Sequence, residues 1–180
     1  MGIITLAAAK GQLNIDADDT SQDIELSLFV DGVTSAVEKA RGEVIDQRSI
    51  TDEVQFGCAT TSFLLQSAPV ISLTTVAAVD GSQIWSTSAM HVHGRSGRVT
   101  VLSGSPLTGL VAWTYTAGYT VVPANFQLAA LIILQHLWET KRGTMGVQLG
   151  GDHETYVPGR GFAIPRRALE LLGVALPGVA

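Results

Sequence analysis

Two histidines one residue apart, His91 and His93, are the pair in this sequence with metal-ligand spacing. On a strand, alternate side chains project to one face, so both imidazoles could reach a single ion. A complete site needs further donors, and no Cys, Asp or Glu lies close by in sequence. Two surface histidines on a β-hairpin account equally for the spacing, and short motif matches are often fortuitous. His136 and Glu139 share a helix face at i, i+3 but lack a second ligand pair, so they read as polar relief on an apolar helix. Gly94-Arg95-Ser96-Gly97-Arg98 has an anion-loop composition, yet no Gly-Lys-Ser/Thr ending and no following helix, and reads as a hairpin turn. Cys58, the single cysteine, has no identifiable His partner and reads as a buried structural thiol; it also excludes an intrachain disulfide. There is no Gly-x-Ser-x-Gly elbow and no acid pair flanked by aromatics. The expectation is a protein that is not an enzyme, with no catalytic residues, no metal and no cofactor.

The elements that carry these residues centre on Leu110 to Arg142. Val111, Trp113 and Tyr115 alternate with small residues as in a half-buried strand, Ala117-Gly118 forms a turn, and Pro123 leads into a long helix. Phe126, Ala129, Ala130, Ile133 and Leu137 fall on one face of that helix. Leu128, Leu131, Ile132, Leu134 and Trp138 cover most of the remainder. A helix apolar nearly all round must be covered on both sides. Each large side chain is worth about 1.5–3 kcal/mol on burial. Three or four left in water would cost about as much as the whole stability of a domain, roughly 5–15 kcal/mol.

Elsewhere, Thr5 to Leu13 reads as a short helix capped by Thr5, and Asn14 to Asp19 as an acidic loop. Thr20 and Asp23 read as a capping box for a helix from Ser21 to Arg41, ended by Gly42, with Leu26, Phe29, Val30, Val33, Val37 and Ala40 as its apolar stripe. Between residues 50 and 119 the chain turns to Thr, Val, Ser and Gly. Seven strands are expected: Thr51–Phe56, Thr61–Gln66, Leu73–Val79, Gln83–Trp85, Met90–His93, Val99–Leu102 and Leu110–Thr116. Gly143 to Gly161 holds six glycines and reads as an arm fixed by a neighbour; Pro165 to Leu172 reads as a last short helix. The fold class is therefore α+β. A small helical core, residues 1–49 and 120–180, carries an inserted antiparallel β-sandwich or barrel, residues 50–119.

Composition narrows the function classes. The 180 residues are 46% hydrophobic and only 15% charged, with a net charge of −5. Residues 1–60 carry eleven acids against four bases, and residues 61–180 five against seven. That balance speaks against a nucleic-acid reader; it suits subunits that stack end to end, or a surface that must not stick to DNA, and simple surface solvation explains it equally well. The start of the chain shows no signal peptide, and the Phe126–Trp138 run, interrupted by Gln127, Gln135 and His136, is too short to span a bilayer. A soluble protein of the cytoplasm, with no membrane partner, is expected.

The order of parts carries a resemblance. Leu6–Arg41 (TLAAAKGQLNIDADDTSQDIELSLFVDGVTSAVEKAR without its first Thr), the Tyr-Thr-Ala-Gly-Tyr turn and Pro-led helix of Tyr115–Arg142, and Phe162–Gly173 with its "IPRRALELLG" resemble the head–tail connector family of tailed bacteriophages, the adaptor or head-completion proteins. The resemblance implies a structural virion protein in the neck, assembled in the host cytoplasm. Such proteins form a ring, usually twelvefold, that extends the portal channel. The portal protein lies above, stopper or tail-completion proteins lie below, and DNA passes through the lumen without sequence-specific binding. It implies portal contacts through Tyr156, Arg160, Phe162, Ile164, Arg166, Arg167, Leu169 and Leu172. Subunit contacts would fall to Phe126, Leu128, Leu131, Ile132, Leu134 and Trp138, with Asp16, Asp18, Asp19 and Asp23 at the DNA channel. The bland reading of those four acids, as loop solvation and helix capping, weighs more.

Three other readings remain open on the residues. One is another neck ring, a stopper or tail terminator. The second is a β-sandwich carbohydrate-binding module with Trp85 and Trp113 as an exposed platform. A distant third is an enzyme using His91 and His93. The helix gives the direct test: replacing Ile132 or Leu134 with a charged residue is expected to break assembly or the fold. Light scattering and thermal melting read the two outcomes, and normal assembly of either variant would count against the shared helix.

Overall fold

In the computed structural model of the chain the described residues are 2–141 and 164–173. The expected arm from Gly143 to Gly161, with Tyr156 and Arg160, lies outside them, as does Phe162. The chain forms two compact units, Met1–Arg41 with Val122–Ala180, and Gly42–Val121.

The first unit is helical: α1 (Leu6–Leu13), α2 (Asp23–Arg41), α3 (Ala124–Lys141) and α4 (Arg166–Leu172). The Thr5 hydroxyl caps α1 by accepting from the Ala8 N–H at 3.1 Å, and Asn14 in the left-handed conformation closes it. Gly42, at φ +68°, ends α2 as its sequence position requires. The start of α2 differs from the expected capping box. The Asp19 carboxylate accepts from the Ser21 N–H at 2.9 Å, and the Asp23 carboxylate turns instead to the Lys10 ammonium, 2.7 Å away.

Among the described residues the other three helices, α1, α2 and α4, pack on α3. Its Phe126, Ala129, Ala130, Ile133, Leu134 and Trp138 are buried, facing Leu26, Val30, Val33 and Val37 of α2 across the core. Phe29 meets Trp138 edge to face with ring centroids 5.4 Å apart. Arg41 joins the unit's two chain segments, its guanidinium 5.3 Å over the Phe126 ring and donating to the Leu172 carbonyl at 2.7 Å. Ala168 and Leu172 are the inward residues of α4, and Gly173 in the left-handed conformation ends it.

The second unit holds seven strands: β1 (Arg48–Thr60), β2 (Ser62–Leu64), β3 (Val70–Ala78), β4 (Ile84–Trp85), β5 (Met90–His93), β6 (Arg98–Val101) and β7 (Leu107–Ala117). They form two antiparallel sheets, β1-β7-β3-β4 and β2-β6-β5. Residues from both contribute to one apolar core, including Val76, Val99, Val111, Trp113 and Tyr115, which makes the unit a sandwich and not a closed barrel. Phe63 of the small sheet meets Phe56 edge to face and Trp113 at a tilt, both of the large sheet, with centroids 5.3 and 4.2 Å apart. Strand β7 is central, paired with β1 on one side and β3 on the other, and its Leu107, Val111, Trp113, Tyr115 and Ala117 are buried in the core.

Tyr115 shows how a polar group is accommodated in that core. Its hydroxyl donates to the Asp52 carboxylate at 2.5 Å and accepts from the Ser67 N–H at 3.3 Å. Burial, and then the hydrogen bond to Asp52, push the phenol's pKa above its ordinary value.

The turn after β7 depends on glycine. Gly118 has φ +113°, and a Cβ there would lie 2.8–2.9 Å from backbone atoms of Asp46 and Gln47. A Gly118→Ala variant should therefore lose about 1–3 kcal/mol from conformation alone. Since roughly 1 kcal/mol lowers the melting temperature of a chain this size by about 2–4 °C, a drop of several degrees by calorimetry is expected. An unchanged melting temperature would refute this account of the turn.

Candidate interaction surfaces

Among the described residues, no group of three or more His, Cys, Asp or Glu side chains is placed to hold a metal ion. His91 and His93 are both exposed on β5. The His93 Nδ1 is 2.9 Å from the Ser96 hydroxyl, a bond that belongs to the hairpin turn. Cys58 is exposed, contrary to the buried thiol expected. The pairing explains it: Phe56 faces Gly109 and Thr60 faces Leu107, so three β1 residues oppose one β7 residue, and this bulge turns Cys58 out of the ladder. The aromatic platform is also corrected. Trp113 is fully buried, and Trp85 is buried with its indole N–H donating to the Ser105 carbonyl at 3.0 Å. Period-2 alternation aims both rings into the sandwich.

The acids expected at the channel hold local structure. Asp16 accepts from the Asp18 N–H at 3.2 Å, and Asp19 from the Ser21 N–H, which lowers the Asp19 pKa through its hydrogen bonds to Ser21. Lys10, missed by the sequence reading, organises the loop from within. Its ammonium is buried and donates to the carbonyls of Ala17 at 3.2 Å and Asp19 at 2.8 Å, with the Asp23 carboxylate as counter-charge. A lone lysine in an Ala-rich helix carries no signal of burial; only the acids that follow it hint at a partner.

The expected subunit-contact residues divide. Phe126, Leu134 and Trp138 are buried within the helical unit, while Leu128 is exposed and Leu131 and Ile132 are half-buried. The C-terminal set divides similarly: Arg166 and Arg167 are exposed, Ile164 and Leu169 half-buried, and Leu172 is core. Exposed apolar residues also occur where the stripe analysis did not look, at Ile24 and Leu28 on α2 and at Leu64 and Leu102 in the β-unit. Depressions in the β-unit are open surface features, one of about 390 Å³ between the β3–β4 turn and the start of β7, another of about 320 Å³ beside Phe63 and Arg98. No helix among the described residues is long and apolar enough to cross a membrane.

What the molecule offers is surfaces. A model of the head completion protein family matches residues 2–174. The chain belongs to the head completion protein family. The role that follows is structural, as a head–tail connector of the virion. The fold of this head completion protein is similar to that of chains in solved neck assemblies. One in the neck of the empty gene transfer agent particle, computed with sixfold symmetry, aligns with TM-score 0.67 and 16% identity over 94% of this chain and 87% of that one. One in the neck of the native particle, computed with twelvefold symmetry, gives TM-score 0.59 and 18% identity over 93% and 86%. One in the virion of the native particle gives 0.61 and 16% over 95% and 88%. No curated protein matches the chain.

The Lys10 cluster yields a test of the loop. A Lys10→Met variant leaves the Ala17 and Asp19 carbonyls without their donor and Asp23 without its counter-charge. A loss of about 1.5–3 kcal/mol is expected, read as a lower urea midpoint. A midpoint equal to wild type would remove Lys10 from its organising role.

Proposed function

We propose that this head completion protein works as one subunit of a homo-oligomeric ring, twelvefold in the complete particle, which extends the portal channel and joins the head to the tail. The carrying observation is likeness to neck chains over nearly the full length, one of them from an assembly computed with twelvefold symmetry. A chain held among many copies needs unlike surfaces on one molecule rather than a cleft. The exposed residues of α3 supply one: Leu128, with Leu131 and Ile132 beside it, faces away from the buried row and would meet a neighbouring copy. The acids Asp16, Asp18 and Asp19 place negative charge on an exposed loop, which would keep passing DNA from adhering. No step of this function calls for a catalytic group.

The portal contact is assigned to α4. Ala168 and Leu172 hold it to the helical unit, leaving Arg166 and Arg167 outward with Ile164 and Leu169 partly open. Because the inward residues carry the packing, charge reversal outside need not unfold the helix. An Arg166→Glu, Arg167→Glu chain should keep its melting temperature but lose at least tenfold in attachment to portal-bearing heads, counted as completed particles by electron microscopy. Wild-type completion would sink the α4 assignment and leave the ring reading intact. Deleting Gly161–Ala180 should also abolish attachment, although that change removes core residues as well.

A further inference from the structure

The β2-β6-β5 sheet buries one face and leaves the other open. Strand alternation puts Phe63, Val92, Val99 and Val101 inward, and Ser62, Leu64, His91, His93, Arg98 and Thr100 outward. The register aligns Leu64, Arg98 and His93 in one row and Ser62, Thr100 and His91 in the next. Arg95 extends from the exposed hairpin turn, and Leu102 follows the end of β6. Leu64 is 63% exposed and Leu102 69%. No acid lies among these positions, and Asp80 is the sole acid between Val54 and Arg98. The face therefore combines two open leucines with two arginines and two histidines. Bare phosphate chains have no use for open leucines. Arginine beside exposed apolar groups is the composition of a protein interface.

The same chain carries a surface of the opposite kind. The buried stripe of α2 runs through Leu26, Val30, Val33 and Val37. On the helix side directly opposite lie Ile24, Leu28, Asp31 and Ser35, at the i, i+4, i+7, i+11 spacing of one line. Ile24 is 85% exposed and Leu28 68%. Asp31 is exposed, and Gly32 beside it has nothing within 4 Å of where a Cβ would stand, so a second backbone could approach there. The acidic loop Asp16–Asp19 leads into this helix. Between two copies, apolar can meet apolar and acid can meet base.

We infer that the outer face of the β2-β6-β5 sheet of one copy docks on the Ile24–Leu28–Asp31 face of α2 of another. The occupant is a second copy of this chain because both halves of the match, two large aliphatics with complementary charge, are present on one sequence. A contact between unlike surfaces is heterologous, the kind that closes into rings. Arg95 and Arg98 meet the acids and set the register, while Leu64 and Leu102 cover Ile24 and Leu28. The inference rests on the ring reading above, which requires copies side by side, and adds which faces touch.

The test uses the full chain in assembled particles. In a Cys58→Ser background, a chain with both Leu28→Cys and Leu64→Cys, treated with a short bis-maleimide, should give dimers and higher multiples on a denaturing gel. Each single-cysteine chain should give almost none. Independently, Arg95→Glu with Arg98→Glu should lower incorporation at least tenfold without changing the melting temperature, and adding Asp31→Arg to that chain should restore a large part. Rings visible in micrographs with no ladder, or with no effect of charge reversal, would overturn this interface and leave the ring reading standing. Particles holding a single copy of the wild-type chain would overturn both.

Discussion

The constraint on which the helical unit depends is the apolar girth of α3. A helix with Phe126, Ile133, Leu134 and Trp138 on its buried side cannot exist in water alone, so three other helices must be brought to it from separate parts of the sequence. Two arrive before the β-unit and one after it. Arg41 makes that arrangement a single object, joining the end of α2 to Phe126 by its guanidinium face and to the last carbonyl of α4 by its edge. Cation–π contact and a charge-assisted hydrogen bond thus act through one side chain at the seam. In sequence the β-unit is an excursion between α2 and α3, the helix that α2 covers.

Much of this was legible because local signals agreed with tertiary demands. All seven strands and all four helices were read near their places, since Thr5, Gly42, Gly118 and Gly173 occupy positions where caps and turns require them. Alternation in β7 set Val111, Trp113 and Tyr115 on one face, and the structure buries that face. What local patterns could not give was depth. Both Trp85 and Trp113 were equally compatible with a platform or a core, because alternation assigns a face without saying which face is covered. Cys58 failed for a different reason: its burial was inferred from the lack of a His partner, whereas the irregular pairing between Phe56 and Thr60 leaves the side chain outside the ladder.

For the interaction surfaces, candidates were legible in the sequence but their division was not. On α3 the wheel placed apolar residues nearly all round, and only packing separated Leu134 and Trp138, which are core, from Leu128, which is open. The same holds for α4, where Leu172 is anchored and Arg166 and Arg167 are free to act outward. The family role was visible only through the order of the elements, since no single motif carries it. A connector is built from surfaces, and surfaces lack the fixed spacings that make catalytic sequences readable.

The Lys10 cluster has a consequence for how the acidic N-terminal loop behaves. Carbonyls and carboxylates that converge in this way are the ligands a dissolved cation takes elsewhere. Here the cation is covalently part of the neighbouring helix, already seated between the Ala17 and Asp19 carbonyls. The loop is self-neutralised at its centre while its rim stays negative. The cation at its centre thus cannot dissociate from the chain, and the loop is tied to α1 by the same side chain that offsets its charge.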